Sequence, residues 1–225
     1  MLNRLRGAMT RIFTPVADAL LRLGVSPDAV TITGTVVVVV AALWAFPTGH
    51  LLAGTLVITV FVLTDSLDGV MARRAGRSGP WGAFLDSTLD RFGDAAIFGG
   101  LVLWFFGDGD DRLTATLALA CLILGSVVPY ARARAEGLGM TASGGIAERA
   151  DRLLLVLTAT AFVGFGLPVV VLTVVLALLA LASAITVVQR MAMVRRQARA
   201  LVAADGTTGP AAPDARPGGA EGTVA

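Results

Sequence analysis

The sequence predicts an all-α membrane protein, with six transmembrane helices preceded by an N-terminal amphipathic juxtamembrane helix. Three observations predict it. Of the 225 residues, 56% are hydrophobic and 15% charged, whereas soluble domains run about 45–50% apolar and about 25% charged. Apolar runs of the ~20 residues needed to cross a ~30 Å hydrocarbon core recur along the chain, whose mean hydropathy is +0.79. Arginines gather at alternate ends of those runs, as the positive-inside rule requires of a multi-pass protein.

Residues 1–25 form the first element. Arg4, Arg11, Asp18 and Arg22 are interleaved there with Leu5, Ile12, Phe13, Val16, Leu20 and Leu23, a helical periodicity too charged to span and suited to the interface. Residues 26–200 form a six-helix domain, with spans expected near 29–46, 51–72, 83–106, 113–136, 150–166 and 168–190. Ser26 or Asp28, beside Pro27, supplies the helix-start chemistry of the first span. The short connections at 47–50 and near Gly166 make the flanking helices antiparallel hairpins. Residues 201–225 become rich in Gly, Pro and Ala, cannot bury an apolar face, and are expected to be a disordered cytoplasmic tail.

Orientation follows from the arginines. Those at 4, 6, 11, 22, 73, 74, 77, 132, 134, 149, 152, 190, 195, 196 and 199 fall on one side, while Arg112 stands on the other beside Asp108, Asp110 and Asp111. Both termini are therefore expected on the cytoplasmic side of the membrane. No leading apolar core with a small-residue cleavage pattern marks a signal peptide. The net charge of +2 gives no reason to expect nucleic acid. One cysteine, Cys121, and one histidine, His50, cannot build a zinc site or a His-based triad, so metal chemistry falls to carboxylates.

Five carboxylates, Asp65, Asp68, Asp86, Asp90 and Asp94, stand in an otherwise mostly apolar region. A charge at the bilayer centre costs at least ~2.5–3.5 kcal/mol, so such groups face a cavity, a partner or an ion. Asp65 and Asp68 lie one helical turn apart, and Asp86, Asp90 and Asp94 are each four apart, which puts each set on one helix face. Facing stripes of like charge repel, and a divalent cation relieves that conflict. Oxygen-only ligation selects Mg²⁺, Mn²⁺ or Ca²⁺ over zinc. Gly69, Ala72, Gly79 and Gly82 leave room for a substrate to approach backbone. Arg73, one turn beyond Gly69, has the fork geometry for a phosphate.

The pattern Asp65-x2-Asp68-Gly69-x2-Ala72-Arg73-x8-Gly82-x3-Asp86-x3-Asp90 resembles, at every fixed position, the signature of the CDP-alcohol phosphatidyltransferases. The resemblance implies a six-helix, usually homodimeric enzyme with its polar active-site cavity open to the cytoplasm. It assigns Asp65, Asp68, Asp86 and Asp90 as metal ligands, for Mg²⁺ with Mn²⁺ as a substitute, and Asp90 also as the general base. It places CDP-diacylglycerol against Asp28, Ala29, Val30, Thr31, Gly69, Arg73 and Gly79, the last standing where the family has Thr or Ser.

Tyr130-x-Arg132-Ala133-Arg134-Ala135-Glu136, Ile146-x-Glu148-Arg149-x-Asp151-Arg152 and Val188-Gln189-Arg190 look like the actinobacterial branch of the family whose acceptor is inositol phosphate. That likeness implies an acceptor-phosphate site at Arg132, Arg149, Arg152 and Arg190, and a basic pocket is what a dianionic acceptor needs. Two departures stand out: Pro129 replaces the branch's usual serine, and Arg132 its commoner lysine. Two alternatives stay open, a relative that uses glycerol phosphate and, from another class, a cation transporter, because intramembrane aspartates also mark ion paths.

Overall fold

The structure is a computed structural model that describes residues 13–64, 66–76, 79–145 and 149–207. Asp65, Arg77, Glu148, the first part of the expected interfacial helix and most of the expected tail lie outside the described residues. Every regular element among the described residues is helical. Residues 13–22 form α1, followed by α2 (Pro27–Ala45), α3 (Leu51–Thr64), α4 (Ser66–Arg74), α5 (Pro80–Phe106), α6 (Arg112–Glu136), α7 (Arg149–Gly164) and α8 (Val170–Thr207).

Four stretches among the described residues are long and apolar enough to cross a membrane: Pro27–Ala45, Leu51–Arg74, Arg112–Glu136 and Val170–Val202. The other two expected spans coincide with α5 and α7. Helix α5 has the length but carries Asp86, Asp90, Arg91 and Asp94, and the described part of α7, from Arg149, has 16 residues. Helix α8 outruns its expected end at residue 190, so helix covers residues 201–207 of the expected tail.

Local chemistry sets the helix ends. Ser26 Oγ accepts from the Ala29 amide at 3.2 Å with Pro27 in the first turn, which satisfies a donor that the helix itself leaves open. Asp111 caps α6 by accepting from the Thr114 amide at 3.0 Å and its hydroxyl at 2.8 Å. Those bonds, the Thr114 amide foremost, hold the Asp111 carboxyl below the usual carboxylate range.

The helices close into a ring. Helix α2 packs on α5, α5 on α6, α6 on α8, α8 on α7, α7 on α3, and α3 back on α2. Phe46, Ile58, Phe98, Leu101, Phe105, Val156, Leu172 and Leu176 fill the shared core and are almost wholly buried. Outward positions such as Val36, Leu43, Leu63, Leu154, Val174 and Leu178 are exposed and apolar, as lipid-facing residues are. At Gly100 an added Cβ would stand 2.4 Å from the Ala42 carbonyl oxygen, so glycine is what lets α5 approach α2 so closely. Helix α4 packs on α2 and α3 at one end of the ring. Its residues Leu67, Val70 and Met71 bury Ala17 of α1, with Phe13, Leu20 and Leu21 packed around them. Asp18 of α1 and Arg74 of α4 add a two-pronged ion pair, at 2.5 and 2.9 Å.

Candidate active site

A cavity of about 270 Å³ opens among α2, α3, α4, α5 and the start of α7. Its lining mixes two chemistries. Val25, Val38, Phe61, Val62, Leu89 and Ile97 are apolar, while Thr31, Asp68, Asp90 and Arg149 bring polar and charged groups to the same space. A cavity lined this way suits a molecule with a charged head and an apolar body.

The start of α2 supplies Ala29, Val30 and Thr31 to this lining. Thr31 is buried, and its hydroxyl donates to the Asp68 carboxylate while lying 3.2 Å from the Pro27 carbonyl. The Gly69 amide donates to the other Asp68 oxygen. Asp68 is thus fixed at the start of α4, and the charges of Asp86 and Arg73 both reach it. The Arg73 guanidinium passes within 3.5 Å of where a Cβ on Gly69 would stand, so these two motif residues are brought together. Asp28 accepts from Trp81 Nε1 at 3.0 Å, a tie between the starts of α2 and α5. Gly79 precedes α5 in extended backbone and gives no side-chain cap.

Asp90 of α5 stands opposite α7. Its Oδ1 is 2.8 Å from Nη1 of Arg149, and its Oδ2 is 3.9 Å from Nη2 of Arg91. One turn on, Asp94 takes Arg149 Nε at 3.0 Å and Arg152 Nη2 at 2.8 Å. Arg152 is 2% exposed, and its Nη1 donates to the Gly125 carbonyl at 3.2 Å.

The expected site residues therefore fall into groups. Ala29, Val30, Thr31, Asp68, Asp90 and Arg149 line one cavity. Asp28, Gly69, Arg73, Gly79 and Asp86 belong to the elements around it without lining it. Arg152 lies behind Asp94. Arg132 pairs with Glu136 at 2.8 Å on the exposed last turn of α6. Arg190 of α8 donates to the backbone carbonyls of Val128 and Gly144. Sequence reasoning gave no role to Gly125, where an added Cβ would meet Arg152 Nη1 at 2.9 Å, and no local signal marks it. Asp94 was signalled only by its spacing of four from Asp90.

The donor chemistry fits a hard divalent cation. Asp68, Asp86 and Asp90 offer only oxygen, with no His or Cys lining the cavity, and such ligand sets suit Mg²⁺ or Mn²⁺. Among the described residues no three acidic, His or Cys side chains form one ready ligand group. The remaining motif aspartate, Asp65, lies outside those residues.

A helical protein with several apolar stretches long enough to cross a membrane, and with motif aspartates at a half-apolar cavity, has the form of a multi-pass membrane protein with a polar site inside it. The comparisons with known proteins narrow it. Residues 24–146 match the model of the CDP-alcohol phosphatidyltransferase family, and the chain belongs to that family of enzymes. It is 50% identical over 203 residues to the phosphatidylinositol phosphate synthase of Cutibacterium acnes, covering 87% of this chain and 98% of that one. To the protein of the same name from Streptomyces avermitilis it is 48% identical over 204 residues, covering 88% and 84%. The crystal structure of the Mycobacterium tuberculosis phosphatidylinositol phosphate synthase with CDP-DAG bound superposes with a TM-score of 0.79 at 46% identity, covering 82% of this chain and 94% of that one. The same protein in complex with manganese and citrate gives a TM-score of 0.78 at 45% identity, covering 81% and 88%.

Proposed function

We propose that this enzyme is a phosphatidylinositol phosphate synthase, transferring the phosphatidyl group of CDP-diacylglycerol to inositol phosphate with release of CMP. The observation that carries the reading is Arg149, which stands in the cavity wall 2.8 Å from Asp90. A fixed cation beside the expected general base is what an anionic acceptor requires, and a neutral alcohol would have no use for it. Relatives of that name at 46–50% identity support the same acceptor.

In this mechanism Thr31 and the Gly69 amide orient Asp68, and Asp65, Asp68, Asp86 and Asp90 hold the divalent ion, Mg²⁺ in the first instance. When bound, the ion supplies charge stabilisation to the pyrophosphate and to the departing CMP. The start of α2, Gly69, Arg73 and Gly79 receive the CDP-lipid. Arg149, with Arg132 from the last turn of α6 and Arg190 from the middle of α8, receives the acceptor phosphate, backed by the buried charge of Arg152. Asp90 takes the proton of the acceptor hydroxyl, whose oxygen bonds to the lipid-side phosphorus. The bond from that phosphorus to the CMP oxygen breaks, and CMP leaves with the electron pair. Six spans, an interfacial N-terminal helix, a homodimer, and termini and active site on the cytoplasmic side complete the reading.

The test is CMP release by purified enzyme given CDP-diacylglycerol and, in turn, inositol phosphate, glycerol phosphate and inositol. Inositol phosphate is expected to be used best, EDTA to stop the reaction, and Mg²⁺ or Mn²⁺ to restore it. Preference for glycerol phosphate would overturn the acceptor, and restoration by zinc but neither of those ions would overturn the oxygen-ligand argument. No CMP release with any acceptor would overturn the whole reading.

A further inference from the structure

The metal motif ends at Asp90, and Asp94, one turn later, has no part in it. Yet Asp94 is only 6% exposed. A buried ion pair is seldom kept for stability alone, because well-packed apolar residues often do as well or better.

Asp94 divides its carboxylate between two arginines of α7. Oδ1 accepts from Arg149 Nε at 3.0 Å, and Oδ2 from Arg152 Nη2 at 2.8 Å. Arg149 then reaches past Asp94 with Nη1, to 2.8 Å from Asp90. Arg152 turns its own Nη1 to the Gly125 carbonyl at 3.2 Å. Four groups are thus joined in one line, Asp90 to Arg149 to Asp94 to Arg152, ending on the backbone of α6.

We propose that Asp94 is a positioning residue for the acceptor side of the reaction. It holds Arg149 by the Nε edge, so that the Nη1 edge stands beside Asp90 at the cavity. There an acceptor phosphate replaces the Asp90 carboxylate as its partner. The guanidinium is a rigid planar fork, so fixing one edge also fixes the direction of the other. Arg152 balances the second Asp94 oxygen where solvent does not reach, which keeps the carboxylate from swinging. Arrival of the acceptor and release of Asp90 from Arg149 then become one event. The inference rests on the acceptor reading proposed for this site.

The experiment uses the full chain in detergent with divalent metal present, as wild type, Asp94→Asn and Asp94→Glu. Each substrate is varied in turn, and the acceptor is whichever of inositol phosphate and glycerol phosphate the wild type uses better. A wrong acceptor therefore shows itself in the wild-type panel, before any variant is read. Asp94→Asn keeps the shape and removes the charge, and its KM for the acceptor is expected to rise about tenfold or more. The KM for CDP-diacylglycerol should stay within about twofold. Asp94→Glu restores the charge on a longer stem and should recover part of the acceptor affinity. Should Asp94→Asn fail to elute as folded protein, Asp94→Glu carries the test, with an acceptor KM raised about threefold and the lipid KM unchanged. Wild-type acceptor KM in the folded variants, or equal losses toward both substrates, would overturn the proposal. Failure of both variants to fold would also overturn it, marking Asp94 as a tie of the fold.

Discussion

Asp90 meets Arg149 at 2.8 Å and Arg91 at 3.9 Å with its side chain 15% exposed, so it is partly buried and reachable from the cavity. Asn at this position keeps the shape and one oxygen but cannot take a proton. Asp90→Asn is expected to lower CMP release by at least about 100-fold, the lower end of a general base's contribution. Binding of CDP-diacylglycerol, measured by displacement of a labelled CDP-lipid, should largely persist. Near wild-type transfer would remove Asp90 from the role of base. Asp68 and Asp90, which line the cavity, were legible in the sequence because spacings of three and four put charges on one face of any helix. The line from Asp94 through Arg152 to Gly125 was not. Its bonds join residues 58 and 27 positions apart, and nothing in helical periodicity encodes which turn of α6 must be bare for a guanidinium from α7. Arg132 and Arg149 look alike as arginines at the ends of apolar runs, yet one pairs with exposed Glu136 and the other lines the cavity.

Between elements, α5 approaches α2 closely at Gly100. Gly100→Ala would push its Cβ to 2.4 Å from the Ala42 carbonyl oxygen and 3.1 Å from the Phe46 ring. Backbone cannot yield as a flexible side chain does, so a loss of about 1–3 kcal/mol is expected, read as a lower thermal unfolding midpoint in detergent. Gly99→Ala is the control, since a Cβ there meets nothing within 4 Å, and its midpoint should not fall. Equal midpoints for the two variants would mean that the close approach is not what joins α2 to α5. Helix positions were largely legible, because an apolar run ends where charges begin: 113–136 was expected and α6 is Arg112–Glu136. The same rule failed at α8, where helix continues to Thr207. Hydropathy marks the edge of the bilayer, but the backbone hydrogen bonds of residues 191–205 continue through a stretch with neither Gly nor Pro to stop them. The second expected span, 51–72, coincides with the apolar helical stretch Leu51–Arg74.

For the whole molecule, the ring of helices and the distribution of arginine constrain each other. Four stretches have the length and composition of spans, and α5 and α7 each lie between two of them in the ring, α5 between α2 and α6, α7 between α3 and α8. At ~1.5 Å per residue α5 reaches about 40 Å and the described part of α7, from Arg149, about 24 Å, so α5 is long enough to cross with its acidic half turned to the cavity. Six crossings return the chain to its starting side. In that proposed topology the loop around Asp108 and Arg112 is expected to face away from the cytoplasm, and the arginines of α4, α7 and α8 to face it. Single cysteines test this arrangement directly. Cys121 is buried, so Cys121→Ala gives a silent background on which Asp108→Cys and Ala200→Cys are placed one at a time. In intact cells a membrane-impermeant maleimide should label position 108 and spare position 200. In inverted vesicles the pattern should reverse. Labelling of both positions from the same side would mean an even number of crossings between them. A topology with α7 lying in the interface would then replace six spans, and the acceptor arginines at the start of α7 would have to be placed anew.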